Sequence, residues 1–240
     1  MADPPDEQVR PAMPEVVVLA RDIHKRFGEG PAAVLALRGC DLLLRRGRIL
    51  ALMGPSGSGK STLLHIVSGL DRPTQGQVEI EGRNLAQIGE RERARYRARK
   101  IGFVLQRDNL IPALNLEENV AAPLLIGGWG AAKARARAQE TLDRVGLRER
   151  RHAWPAEVSG GEAQRAAVAR ACAGSPILIV ADEPTGALDK ATGAVVLGLL
   201  RELATETGAA TLLVTHDPNV AAIADEVLQM VDGRIRQEPG

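Results

Sequence analysis

The sequence is short of aromatic rings, of cysteine and of long apolar runs, and each shortage removes a class of protein. Aromatic residues make up 2% of the chain, too few to tile a stacking surface for single-stranded nucleic acid. Its two cysteines, Cys40 and Cys172, stand far from each other and from any histidine cluster. Neither a disulfide framework nor a Cys/His metal site is expected, and a reducing cytosol is the compartment they suit. The longest apolar runs, such as 177–181, fall far short of the roughly 18 to 20 residues that a membrane-crossing helix needs. A formal net charge of +1 supplies no global field toward nucleic acid or anionic lipid. What is present is a 240-residue chain, 45% hydrophobic and 25% charged, the proportions of a soluble α/β or similar globular protein with one sizeable core. Residues 1–15, rich in proline and acidic groups, lack the basic start and apolar stretch of a secretion signal and read as a flexible leader.

Hydrophobic patterning then orders the rest of the chain. Segments 16–19 and 36–44 read as strands of a small N-terminal sheet, 49–53 as a strand leading into a glycine-rich loop, and 62–69 as the helix after it. Short strands are expected at 77–80 and 101–105. From about 116 to 173 the pattern turns helical, with an Ala-, Arg-, Gln- and Glu-rich stretch at 131–145 that favours helix. Strands return at 177–181 and 211–214 around a helix at about 192–205. Strands alternating with helices, apolar along their whole length, predict an α/β fold with a parallel sheet covered on both faces.

The loop Gly54-Pro55-Ser56-Gly57-Ser58-Gly59-Lys60-Ser61-Thr62 satisfies G-x-x-x-x-G-K-[ST] between a strand and a helix, the context that gives the motif its meaning. Its glycines let backbone N–H groups approach phosphate oxygens, and the helix N-terminus adds partial positive charge. Lys60 reaches the β- and γ-phosphates and Ser61 offers a hydroxyl to Mg2+. The apolar run 177–181 ends in Asp182-Glu183, at the carboxyl edge of a buried strand where ligands of α/β sheets sit. Asp182 is expected to orient the magnesium shell and Glu183 to polarise the attacking water. These residues specify a nucleoside triphosphatase or a kinase, with ATP and Mg2+ as the bound species.

A further segment narrows the class. Ser159-Gly160-Gly161-Glu162 opens a helix, and Ser159 with Glu162 forms an S-x-x-E capping box. With this tripeptide the sequence resembles the ATP-binding subunits of ABC transporters, over roughly 16–235. The resemblance implies a P-loop parallel-sheet core with a small N-terminal antiparallel β region and an inserted helical subdomain at about 107–173, the ATPase domain running 16–240. It also implies roles for further residues: Gln106 as the glutamine that touches magnesium and water, Asp189 in the loop after Ala187-Leu188, and His216 at the γ-phosphate. Phe27 falls where the family stacks an aromatic ring on adenine, though tyrosine is commoner there. By the same resemblance Ser159, Gly160 and Gly161 contact ATP held by a second copy, so two chains close head to tail and drive an integral membrane permease from the cytoplasmic face of the membrane. The segments 114–125 and 181–189 most resemble the branch of macrolide exporters, lipoprotein-release complexes and division-associated ATPases.

Three rival classes are weighed on residues. A P-loop kinase would lack the Ser159–Gly161 helix start and the Asp189 loop. Soluble relatives acting on nucleic acid or ribosomes usually carry a coiled-coil or zinc-bearing insertion or two fused ATPase units, which this sequence lacks, and no nucleic-acid partner is expected. An importer subunit would carry nearly the same motor. Six basic residues between Arg91 and Lys100 read as a solvated helical face.

Overall fold

Three strands that are apolar at nearly every position organise the molecule: β3 (Ile49–Met53), β7 (Leu178–Asp182) and β8 (Ala210–Thr215). In the computed structural model, which describes residues 15–106 and 110–236, they lie side by side as the centre of a six-stranded sheet. β6 (Ile101–Val104), β9 (Glu226–Val231) and β10 (Arg234–Arg236) complete it in the order β10-β9-β3-β8-β7-β6. All pairings are parallel except β9 with β10. Side chains alternate across a strand, so each central strand feeds two cores. Ile49, Ile179, Ala181 and Leu213 face the helices, while Leu50, Leu52, Leu178, Val180, Leu212 and Val214 face the opposite layer.

That opposite layer contains α1 (Lys60–Val67) and a four-stranded antiparallel sheet of β1 (Val16–Phe27), β2 (Val34–Arg45), β4 (Gln75–Ile80) and β5 (Arg83–Asn84), in the order β2-β1-β4-β5. On the helical side lie α3 (Leu116–Ile126), α4 (Ala131–Arg144), α5 (Gly160–Cys172) and α6 (Lys190–Thr207). α4 buries Ala134, Ala138 and Leu142 at four-residue spacing, a narrow apolar stripe on an otherwise charged helix. α3 begins at a capping box in which Asn115 and Glu118 satisfy each other's backbone N–H groups. Asn119, fully buried, accepts from Ile111 N–H and donates to the carbonyls of Ile111 and Leu114, pinning the segment that enters α3. Glu117 is also buried, and Arg135 Nε and Gln139 Nε2 of α4 donate to it at 2.6 and 2.8 Å.

The register decides what the sheet can do. Met53 pairs with Thr215, Asp182 with Val214, and Val104 with Ala181. The carboxyl ends of β3, β6, β7 and β8 therefore come level at one edge, and the residues that follow them emerge together.

Several elements differ from expectation. β1 runs on to Phe27 because β2 pairs with it through a series of bulges. The hairpin β9–β10 was not expected from periodicity, since β9 is half exposed and carries Glu226 and Gln229 among its apolar residues. The helix α2 (Glu90–Lys100) is corrected most. It is not a purely solvated face: Arg93 is buried, Arg97 Nη1 donates to the Gly69 carbonyl at 2.9 Å and Arg99 Nε to that of Gly127 at 2.5 Å. Two guanidinium heads thus meet carbonyls just past the ends of α1 and α3, while Arg91, Arg95 and Arg99 stay exposed. Except for Glu15, the leader lies outside the described residues, as does 107–109 at the start of the expected helical subdomain. Among the described residues no helix is long and apolar enough to cross a membrane.

Candidate active site

At the level edge of the sheet, β3 runs into the loop 54–59 and α1 begins at Lys60. Gly54 has φ 151°, and a Cβ there would lie 2.1 Å from the Met230 carbonyl oxygen of β9. Gly59, the N-cap of α1, has φ 105°, and a Cβ would lie 2.6 Å from the Ala36 carbonyl oxygen of β2. The loop is thus pressed between two strands at positions that only glycine fills. Gly233 N–H donates to the Ser58 carbonyl at 2.9 Å, so the β9–β10 turn braces it from outside. Lys60 is buried, and its Nζ donates to the carbonyls of Gly54 and Pro55 at 2.8 and 2.9 Å. The ammonium is held over the loop, close to where a phosphate would be cradled. Ser58 Oγ is buried there and has no hydrogen-bond partner among the described residues.

A cleft of about 780 Å³ opens over this loop. Ser56, Gly57, Gly59, Lys60, Ser61, Thr62, Gln106, Asp182, Glu183 and His216 all line it. Six residues that the sequence did not single out as site residues also line it: Val34, Leu35, Ala36 and Arg38 of β2, and Asp232 and Gly233 of the hairpin turn. Asp232-Gly233 before Arg234 is a hairpin signal that sequence can give, but its place beside the P-loop follows from strand order alone. Gly54 and Ser58, also expected at the site, do not line the cleft. Phe27 is 47% exposed at the end of β1, where it pairs with Val34, and Lys25 Nζ sits 5.0 Å from its ring centroid. It does not line the cleft, although its strand partner Val34 does.

The carboxylates differ in environment. Burial raises the Asp182 carboxyl above its usual range, opposed by a hydrogen bond with Ser61. Glu183 has φ 46°, a left-handed conformation unusual for a residue with a side chain, and strain of this kind collects at functional positions. Its Oε1 accepts from His216 N–H at 3.0 Å and lies 2.6 Å from His216 Nδ1, and its Oε2 accepts from Thr215 Oγ1 at 3.1 Å. The His216 side chain is otherwise 66% exposed. Gln106 stands against Gly186, where a Cβ would lie 2.7 Å from Gln106 Nε2.

Ser159, Gly160 and Gly161 are absent from this lining. They open α5, where Ser159 Oγ accepts from Glu162 N–H and Glu162 Oε2 accepts from Ser159 N–H. The Ser159 N–H, with Arg150 beside it, holds the Glu162 carboxyl below its usual range. Gly161 packs so closely on α6 that a Cβ would lie 2.4 Å from Thr192 Cγ2. Gly160 borders a second groove of about 420 Å³, shared with Gln106, Pro184 and Leu188. Asp189 is the N-cap of α6: its Oδ1 accepts from Ala191 and Thr192 N–H, and its Oδ2 from Thr192 Oγ1.

The donors near the phosphate cradle are the Ser61 hydroxyl, the Asp182 carboxylate and the Gln106 amide. No cluster of three His, Cys, Asp or Glu exists among the described residues. Few, hard oxygen donors beside a phosphate site fit Mg2+, which keeps waters and takes substrate phosphates as ligands.

Comparison with known proteins agrees with this geometry. The family model described as ABC transporter matches residues 37–186. The chain is 46% identical over 221 residues to the lipoprotein-releasing system ATP-binding protein LolD of Pseudomonas fluorescens, covering 92% of this chain and 97% of that protein. It is 42% identical over 227 residues to the macrolide export ATP-binding/permease protein MacB of Marinobacter nauticus, covering 95% of this chain but 35% of that longer protein. Among solved structures, the dimeric post-hydrolysis state of the ATP-binding cassette MJ0796 with ADP and Pi superposes with a TM-score of 0.83 at 38% identity, covering 93% of this chain and 99% of that one. With that family model spanning more than half of the chain and relatives above 40% identity spanning over nine-tenths of it, the chain belongs to the ABC transporter family, as an ATP-binding and ATP-hydrolysing cassette.

Proposed function

We propose that this chain is the motor subunit of an export or lipoprotein-release transporter, working as a head-to-tail pair that holds two ATP molecules between its copies. One observation carries the reading. The P-loop cleft and the Ser159–Gly161 helix start occur on the same chain, yet those residues do not line that cleft. A helix N-terminus with free N–H groups is an anion site, and a second copy can bring one over the open cleft of the first. The MJ0796 cassette, similar over nearly the whole chain, is itself described as dimeric.

Each residue then has a task. Backbone N–H groups of 56–62 and the Lys60 ammonium bind the β- and γ-phosphates, and Phe27 with Val34 and Leu35 offers an apolar wall to the adenine. Ser61, Asp182 and Gln106 would hold Mg2+, which would supply neutralisation of the phosphate charge. Glu183 accepts a hydrogen bond from the attacking water. As the water oxygen bonds to the γ-phosphorus, the bond to the bridging oxygen breaks, its electron pair leaves with ADP, and the water proton passes to Glu183. His216, whose Nδ1 lies 2.6 Å from Glu183 Oε1, presents Nε2 to the γ-phosphate. Asp189, fixed as a helix cap, sets the loop that meets the partner copy. Residues 16–240 form the ATPase unit, and its helical part at about 107–173 receives the integral membrane permease, which places the motor at the cytoplasmic face of the membrane.

The paired state is tested by light scattering on Glu183→Gln protein, in which ATP is bound and not consumed. Saturating ATP with Mg2+ should double the molar mass, and ADP should not. A mass that stays monomeric with ATP, with or without purified permease, contradicts the pairing.

A further inference from the structure

Thr215 is the last residue of β8, fully buried, and belongs to none of the motifs read from the sequence. Its hydroxyl is held from both sides. Oγ1 accepts from Asp217 N–H at 3.0 Å, and it lies 3.1 Å from Glu183 Oε2. A hydroxyl has one proton to give. With Asp217 N–H on a lone pair, that proton goes to Glu183.

The Glu183 carboxylate has about four lone-pair sites. His216 N–H and Nδ1 both meet Oε1, at 3.0 and 2.6 Å, and fill that oxygen. Oε2 receives only Thr215 among the described contacts, so the lone pair left for a water is on Oε2. Glu183 is held at φ 46°, with its N–H donating to the Val214 carbonyl at 2.9 Å; the rotation of its carboxylate is set by the contacts of His216 at Oε1 and of Thr215 at Oε2.

We infer that Thr215 is a positioning residue for hydrolysis: its buried hydroxyl fixes the rotation of the Glu183 carboxylate and makes Oε2 the atom that meets the attacking water. This rests on the reading of Glu183 as the acceptor of the water proton. The device acts on the base alone, because Thr215 does not line the nucleotide cleft. Removing the hydroxyl should leave ATP binding intact and slow the chemical step.

The experiment compares Thr215→Val, Thr215→Ser and Glu183→Gln in the full chain. Measured are kcat, KM for ATP, ATP-dependent dimer mass and thermal unfolding. Thr215→Val keeps the shape of the side chain and should lower kcat by about 10- to 100-fold with KM within about twofold, a split that marks a transition-state contact. Thr215→Ser restores the hydroxyl and should recover most of kcat. Because hydrolysis alone is slowed, Thr215→Val should also accumulate the ATP-bound dimer as Glu183→Gln does. A general loosening of the 215–217 turn would weaken that dimer instead. The inference is overturned if Thr215→Val turns over like the wild type, if its loss appears in KM or in dimer mass, or if serine fails to rescue. Should Glu183→Gln itself turn over normally, the reading of Glu183 falls and the role of Thr215 falls with it. An inactive Glu183→Gln beside an unimpaired Thr215→Val refutes the positioning role alone.

Discussion

Replacing Glu183 by glutamine should lower the ATPase rate by about 10²- to 10⁴-fold, the usual worth of a positioned general base, while ATP affinity stays close to that of the wild type. The side chains are nearly isosteric. Oε1 accepts from the His216 backbone N–H and lies 2.6 Å from its Nδ1, so the glutamine carbonyl oxygen belongs at that position and its NH2 at the other. There the amide faces Thr215 Oγ1, whose proton loses the acceptor it has in the wild type. The fold should survive that one lost bond, but the atom facing the water has become a donor and cannot take a proton. Steady-state phosphate release and equilibrium binding of a fluorescent ATP analogue check the two halves of this expectation. A variant that binds and hydrolyses as the wild type does would remove Glu183 from the chemistry.

The second large effect is expected at Gly54. A Cβ there would lie 2.1 Å from the Met230 carbonyl oxygen and 3.1 Å from Ser58 Oγ. The first neighbour is backbone of β9, which is paired to β3 along Leu50–Met53 and cannot give way cheaply. Gly54→Ala should therefore destabilise the protein by at least about 2 kcal/mol, from clash and unfavourable φ together. For a chain of this size that is a fall in Tm of roughly 4–8 °C. The Gly54 carbonyl also receives Lys60 Nζ at 2.8 Å, so moving it displaces the cation that meets the phosphates. A loss of ATP affinity of tenfold or more accompanies about 1.4 kcal/mol of lost contact. Gly57→Ala is the control: φ is 79° but nothing lies within 4 Å of the added carbon, so only backbone strain is expected. Equal melting temperatures for the two variants would contradict this account of the loop.

Much of the site was legible in the sequence, because its chemistry lies in short contiguous runs. Gly54 to Thr62 carries its own instructions: glycines where two strands leave no room, then a lysine and a hydroxyl at a helix start. Asp182 and Glu183 end an apolar strand, and strand ends in a parallel sheet face the ligand edge. The Ser159 to Glu162 box is likewise local. What could not be read depends on strand order and register. Asp232 and Gly233 reach the cleft only because β9 lies beside β3, and Arg38 only because β2 passes over the hairpin turn, where its N–H donates to the Gly233 carbonyl at 2.8 Å. Thr215 meets Glu183 because β8 lies beside β7.

The arginines of α2 show the same limit from the other side. Their spacing suggests a wet face, yet Arg97 and Arg99 donate to the carbonyls of Gly69 and Gly127, remote in sequence. Phe27 was expected, by the family resemblance, to stack on adenine. The pairing of β1 with β2 puts it beside Val34, which lines the cleft.

The central claim is that each hydrolytic site is divided between two chains, and a mixing experiment tests it most directly. One variant is Glu183→Gln, defective on the P-loop side. The other is Ser159→Asp, which keeps a good N-cap residue on α5 but sets a negative charge against the γ-phosphate of the partner's nucleotide. In a head-to-tail pair of one copy each, both defects fall in the same site and the other site is wild type throughout. Each variant alone should be inactive, and mixing them should restore ATP hydrolysis. If the mixture stays as inactive as its components while both bind ATP, the site is not shared between chains and the head-to-tail pair is wrong.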